Sequence, residues 1–277
     1  MKNFTGKKAV VTGGGHGIGR AIALALGGQG MAVAVADIEE DSASAVSAEV
    51  KALGVESIAV QTDVTDQVSL AALATTVEEQ FGELHFLSNN AGVVREVVLA
   101  EASHEDWQWV MGVNLDGVVG ATRALLPLML SSKGQGRCHI VNTASMAGLS
   151  AVVGFGIGIY TASKYAVVGY SEMLRGELAP EGIDVSVLCP GMVRTDLPET
   201  SARNRPERFG GPMAKPSQEI PPVLAADMIE AEEVAQRVIN GVRANRLYIF
   251  THMGTRFMVE QRFEEIMADF DATQKEQ

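Results

Sequence analysis

Residues 8–19 read KAVVTGGGHGIG: a β-branched run, a glycine-rich turn, then the start of an apolar helical pattern that continues as IGRAIALALGGQG (18–30). A second apolar run, AVAVAD (32–37), follows directly. Glycines between a strand and a helix permit a tight turn, close approach of the backbone to a pyrophosphate, and close packing of helix on strand. The helix amino terminus then meets the phosphate charge. A glycine-rich string alone is weak evidence, but the strand–turn–helix context gives it meaning. The second run ends on Asp37, 18 residues after Gly19, where a carboxylate can accept hydrogen bonds from adenosine ribose hydroxyls. The combination predicts a dinucleotide site. A 2′-phosphate would bring its charge beside Asp37, and VADIEED (35–41) holds no Arg or Lys to offset it. His16 is the only nearby candidate cation, and a free imidazole is mostly neutral at pH 7, so NAD is the expected cofactor.

Outward from this unit, strand-like runs at 57–63, 84–89, 137–145, 184–190 and 247–250 alternate with helical patterns. The helical patterns cover 40–53, 66–81, 103–130 and 160–179, and Ser103 and Asp106 have capping-box spacing. Parallel strands need helix-sized crossovers and are buried on both faces, which is why they read as continuous apolar runs. The expected architecture is α/β: one doubly wound Rossmann domain over 1–277, with a seven-stranded parallel sheet and helices on both faces. Residues 191–226 break the rhythm, with six of the nine prolines. They follow the carboxyl end of the sixth strand, the edge where ligands bind, and are expected to form a substrate lid. A helical tail is expected over about 254–272.

The totals exclude several classes of function. A formal net charge of −12, with no basic run, disfavours nucleic acid and anionic membrane surfaces. Residues 21–38 and 146–160, the most apolar stretches, are glycine-broken and short for a membrane span. Cys138 and Cys189 lie far apart in strand-like runs, so buried reduced thiols and a cytoplasmic location are expected. The five histidines make no HxH or HExxH spacing, so no metal site is expected. Trp107 and Trp109 are read as packing residues. Arg203, Arg205 and Arg208 are read as a solvated lid face, or else as anchors for a carboxylate substrate. The apolar stripe Phe257, Phe263, Ile266, Met267 and Phe270 is expected to pack on the body or on a neighbouring subunit.

Residues 156–168, GIGIYTASKYAVV, place Tyr160 and Lys164 four apart, on one helix face. A free phenol has a pKa of about 10, and a nearby cation favours the phenolate, so this spacing suits an acid–base pair. Residues 6–195 resemble the short-chain dehydrogenase/reductase family, in its compact single-domain branch. The motifs that carry the resemblance are Thr12-Gly13…Gly17-Ile18-Gly19, Asp63-Val64, Asn89-Asn90-Ala91-Gly92, Asn114, Ser145, Tyr160/Lys164 and Pro190-Gly191…Thr195.

The resemblance implies a catalytic tetrad of Asn114, Ser145, Tyr160 and Lys164, with Asn114 anchoring a water that links Lys164 to solvent. It also implies that Gly13, His16, Gly17 and Ile18 line the pyrophosphate, and that Asp37 holds the ribose. Asp63 and Val64 would border the adenine, Asn90 would lie beside the cofactor, Lys164 would reach the nicotinamide ribose, and Val193 and Thr195 would meet the carboxamide. The implied activity is hydride transfer between NAD(H) and a secondary alcohol or ketone, in a homo-oligomer (tetramer or dimer). A sensory or regulatory protein that keeps the fold without catalysis is the alternative, which an intact tetrad disfavours. The segment from Ser145 to Tyr160 is slightly longer than usual in the family. With Met192, Leu197, Phe209, Met213 and Leu224 of the lid, it suggests an apolar substrate pocket, cyclic or aryl in preference.

Overall fold

The β-branched runs at the amino terminus form adjacent parallel strands, β1 (Lys8–Thr12) and β2 (Ala32–Asp37), joined by helix α1 (Gly17–Gly28). In the computed structural model, which describes residues 1–132, 134, 136–214 and 227–276, five further strands complete the sheet. They are β3 (Ser57–Gln61), β4 (Phe86–Asn89), β5 (Cys138–Thr143), β6 (Ile183–Cys189) and β7 (Tyr248–Phe250). The order is β3-β2-β1-β4-β5-β6-β7 and every pairing is parallel. The expected seven-stranded doubly wound sheet is therefore present.

Successive strand residues serve opposite faces. Ala9 and Val11 share one core with Ile22 and Leu26 of α1, Val46 and Val50 of α2 (Glu40–Ala52), and a carboxy-terminal helix. Val10 joins the other core, with Leu73 and Val77 of α3 (Gln67–Phe81) and Leu125 and Met129 from the central helical run. Strand order reverses between β2-β1 and β1-β4, so the chain ends of β1 and β4 open a crevice at the switch point.

Five features differ from the sequence reading. The pattern at 103–130 is three pieces: α4 (His104–Met111), a π-helical turn (Gly112–Asp116) and α5 (Gly117–Ser132). The turn centres on Asn114, whose side chain bonds both backbone groups of Val93. The wide turn lets that side chain reach sideways while both flanking helices keep their apolar faces on the core. His104–Ser132 is also long and apolar enough to cross a membrane, which the sequence reading overlooked. Here it is a core helix, with Val110, Ala121, Leu125 and Met129 buried.

Residues 191–226, expected to form a lid, contain an unanticipated helix, α7 (Leu197–Arg203), and a 3-10 turn at Glu207–Phe209. Pro198 in the first turn, where a missing N–H costs nothing, starts α7. The rest of the expected lid, 215–226 with Leu224, lies outside the described residues. Helix α8 (Ala231–Arg243) was not anticipated, although Val234, Val238 and Val242 form a helical stripe that packs on α1. After α6 (Gly158–Leu178), β6 and β7, the chain ends in α9 (Arg256–Lys275), which has no buried residue. Its stripe therefore does not pack on the body: Phe257, Phe263, Met267 and Phe270 are each more than half exposed.

Candidate active site

Backbone meets backbone tightly at the glycine turn. Gly13 has φ +61°, and a Cβ there would stand 2.7 Å from Ala91 Cα. A Cβ on Gly19 would stand 1.9 Å from the Gly13 carbonyl oxygen. The turn is stitched to the NNAG segment: Thr12 Oγ1 accepts from the N–H of Asn90 (3.1 Å) and Ala91 (3.2 Å). Asn90 Nδ2 donates to the Gly13 carbonyl (3.1 Å). At the end of β2, Asp37 Oδ2 accepts from Gly15 N–H (2.8 Å) and Oδ1 from Glu39 N–H (3.0 Å). These bonds hold the carboxylate at the mouth of the turn. A bare-backbone helix amino terminus and an anchored acid at the next strand end fit a dinucleotide.

A single cleft of about 540 Å³ is lined by Gly13, His16, Gly17, Ile18, Asp37, Asp63, Val64, Asn90, Ser145, Tyr160, Lys164, Val193 and Thr195. The structure thus brings together every residue expected at the site except Asn114, which stands just behind the wall. Asn114 is fully buried, and its Nδ2 donates to Ser163 Oγ (2.9 Å) on the helix that carries Tyr160.

Ser145, at the end of β5, accepts from Ala147 N–H (3.1 Å) and is hydrogen-bonded to Tyr160. Lys164 is buried, with its ammonium 5.4 Å from the centroid of the Tyr160 ring and donating to the Thr143 carbonyl (2.8 Å). Burial pushes Lys164 down to about 8. The sequence reading expected Lys164 to lower the phenol. Burial instead pushes Tyr160 up, and the hydrogen bond with Ser145 works against it. The ammonium donates to the Thr143 carbonyl as well as standing over the ring, and desolvation is the largest influence on the half-buried phenol.

Of the lid arginines, Arg203 and Arg208 are half exposed, as a solvated face would be, but are paired with carboxylates, and Arg205 is buried. Arg203 Nη2 is 2.5 Å from Glu39 Oε1, and Asn204 Nδ2 donates to the same oxygen (2.5 Å). Arg208 Nη2 donates to Asp63 Oδ2 (2.7 Å) and Thr65 Oγ1 (2.6 Å). Arg205 is buried, stacked over Trp109 at 5.2 Å and paired with Asp106 Oδ1 at 2.8 Å. Trp109 is buried as expected and also lines the cleft; Trp107 is more exposed. Of the expected pocket residues, Met192 and Leu197 line the cleft, whereas Phe209 and Met213 pack against the Trp109 cluster.

A family model described as short chain dehydrogenase matches residues 7–206. The chain belongs to the short-chain dehydrogenase family. A short-chain dehydrogenase/reductase from Burkholderia phymatum, solved in complex with NAD, is 37% identical and superposes with a TM-score of 0.85 over 97% of each chain. The CLA biosynthesis dehydrogenase/reductase of Lactiplantibacillus plantarum is 32% identical over 97% of this chain and 96% of its own length. A family structure from Burkholderia cenocepacia J2315, in complex with NADP, is 30% identical with a TM-score of 0.74, over 91% of this chain and 98% of that one. Family members similar to this chain thus bind either dinucleotide.

Sequence reasoning did not anticipate the polar contacts that bring Glu39, Asp196, Arg203, Asn204 and Arg208 to the ends of β1, β2 and β3. Glu39 gathers His16 Nε2 (3.1 Å), Ser42 Oγ (2.9 Å), Arg203 and Asn204. His16 Nδ1 faces Asp196 Oδ2 at 3.1 Å, so both ring nitrogens point at carboxylates. Burial alone would raise Glu39, but the hydrogen bonds from Asn204, Arg203, His16 and Ser42 win and bring it from 4.5 to about 2.

A folded-state value below the unfolded one means that stability from this cluster is full above about pH 4.5 and is lost as the pH falls through about 2. The thermal midpoint of the wild type, minus that of Glu39→Gln, should therefore be constant from pH 7 to 5 and shrink below pH 4. A difference that grows on acidification would refute the assignment.

Proposed function

We propose that the protein is an NAD-dependent alcohol dehydrogenase or ketone reductase, acting on a secondary alcohol or ketone with an apolar cyclic or aryl body. The convergence of Ser145, Tyr160 and Lys164 on the wall of the cleft that also holds Asp37 carries this reading. Ser145 Oγ orients the substrate oxygen by a hydrogen bond. The Tyr160 hydroxyl gives or takes the proton on that oxygen. Lys164, cationic at neutral pH, favours the phenolate and reaches the cofactor ribose, while Asn114 and Ser163 hold the helix that carries both. The bound dinucleotide supplies or accepts the hydride at its nicotinamide ring, adding a positive field in its oxidised form.

Support for NAD comes from the charges at the ribose corner. Three carboxylates stand there, Asp37, Glu39 and Asp196: Asp37 accepts from backbone N–H groups, Glu39 meets Arg203 and His16, and Asp196 meets His16. Arg203 is a cation the sequence did not reveal there, but Glu39 already occupies it. Support for an apolar substrate comes from Val93, Trp109, Met146, Phe155, Ile157 and Met258 on the cleft wall. Two free buried thiols suit a reducing cytoplasm. The exposed stripe on α9 suits a homo-oligomer, dimer or tetramer.

The test is NADH formation, followed by absorbance, across cyclic, aryl and steroidal secondary alcohols. Turnover of at least one class is the expected result. Tight NADH binding with no turnover of any would favour the non-catalytic alternative.

A further inference from the structure

Lid residues Arg203, Asn204 and Arg208 make polar contacts on the cofactor side of the cleft, whereas Ser201 and Arg205 fasten the other side, to the Val94 N–H and to Asp106. Arg203 and Asn204 reach Glu39 just past β2, and Arg208 reaches Asp63 and Thr65 just past β3. These two strand ends flank the region assigned to the adenosine, at the far end of the cleft from Tyr160. A lid concerned with substrate alone would have no reason to fasten there. Thr65 takes Oδ1 of Asp63 through its N–H (2.9 Å) and its hydroxyl (2.7 Å), leaving Oδ2 to the guanidinium.

We propose that Arg203 and Arg208 are cofactor-positioning residues: they latch the lid over the adenosine end, so that the dinucleotide leaves only when both ion pairs open. The inference rests on the reading of this cleft as an NAD site.

The three lid arginines divide the work by burial. Arg205 is 7% exposed and sits between Asp106 and the Trp109 ring, a contact suited to a permanent anchor. Arg203 and Arg208 are 53% and 52% exposed, and their carboxylates 23% and 24%. Ion pairs this wet are weak and screened by salt, as a contact that opens in each catalytic cycle must be. Buried pairs in their place would hold the product and stall turnover.

The test measures NADH release by stopped-flow fluorescence in the wild type, Arg203→Gln, Arg208→Gln and the double variant, each with its thermal midpoint. Each single change should speed release about 1.5- to 5-fold, and the double change about 2- to 25-fold. Raising salt from about 0.05 to 0.5 M should speed release from the wild type and change the double variant much less. A role in folding alone would not move this salt response.

A double variant that releases NADH at the wild-type rate overturns the latch, as does an equal salt response in the two proteins. Should the Gln variants fail to fold, the wild-type salt response and Arg203→Lys/Arg208→Lys decide. The Lys pair keeps the charge without the fork, and release should be faster than wild type and still salt-sensitive; wild-type release indifferent to salt overturns the latch. A wild-type protein that does not bind NADH overturns the NAD reading itself; binding with unchanged release in the double variant overturns only the latch.

Discussion

Tyr160→Phe should lower turnover about 10²- to 10⁴-fold, the range contributed by a positioned acid–base group, while NADH binding stays within a few-fold of wild type. The ring remains, so the α6 packing and the place of Lys164 above it persist. What disappears is the hydroxyl that is hydrogen-bonded to Ser145 and that we propose exchanges a proton with the substrate oxygen. Loss of kcat with an unchanged NADH dissociation constant and an unchanged thermal midpoint is the expected pattern. A variant that keeps more than about a tenth of the wild-type rate would remove Tyr160 from the mechanism. Weakened NADH binding with intact kcat would assign it a purely structural role.

Asp37→Ser should move the ratio of NADP to NAD kcat/KM upward by about 10²-fold or more. Two effects add. Loss of charge-assisted bonds to the ribose hydroxyls should weaken NAD by about 1–3 kcal/mol. Repulsion between a carboxylate and a phosphate about 4 Å away is worth roughly 1 kcal/mol in water and several times that where water is partly excluded. Asp37 is buried, which places it towards the larger figure. Glu39 limits the gain, because a second carboxylate remains at the corner after Asp37 is gone. Adding Ile38→Arg, at a position on the cleft wall, should raise NADP use further. An unaltered enzyme that uses the two cofactors equally would show that Asp37 does not face the ribose. Because Asp37 also holds the Gly15 and Glu39 N–H groups, the thermal midpoint must be followed alongside.

The sequence alone determined the parallel sheet, the glycine turn with Asp37, and the pairing of Tyr160 with Lys164. Each rests on local requirements: buried strands need unbroken apolar runs, close backbone approach needs glycine, and i, i+4 spacing sets a shared face. The α8 stripe of Val234, Val238 and Val242 was legible by the same rule and was overlooked. Other features belong to the tertiary structure. Glu39 meets Arg203 across 164 residues and Asp63 meets Arg208 across 145, and nothing in the lid's composition says which acids its arginines will reach. Asn114 opens a π-turn only because Val93 lies beside it with both backbone groups to satisfy. For Tyr160, spacing pointed to a lowered phenol, and desolvation by the surrounding chain pushes it up instead. Spacing along a helix says which charges are neighbours. How strongly they act depends on how much water and how many other partners remain, and only the packed chain decides that.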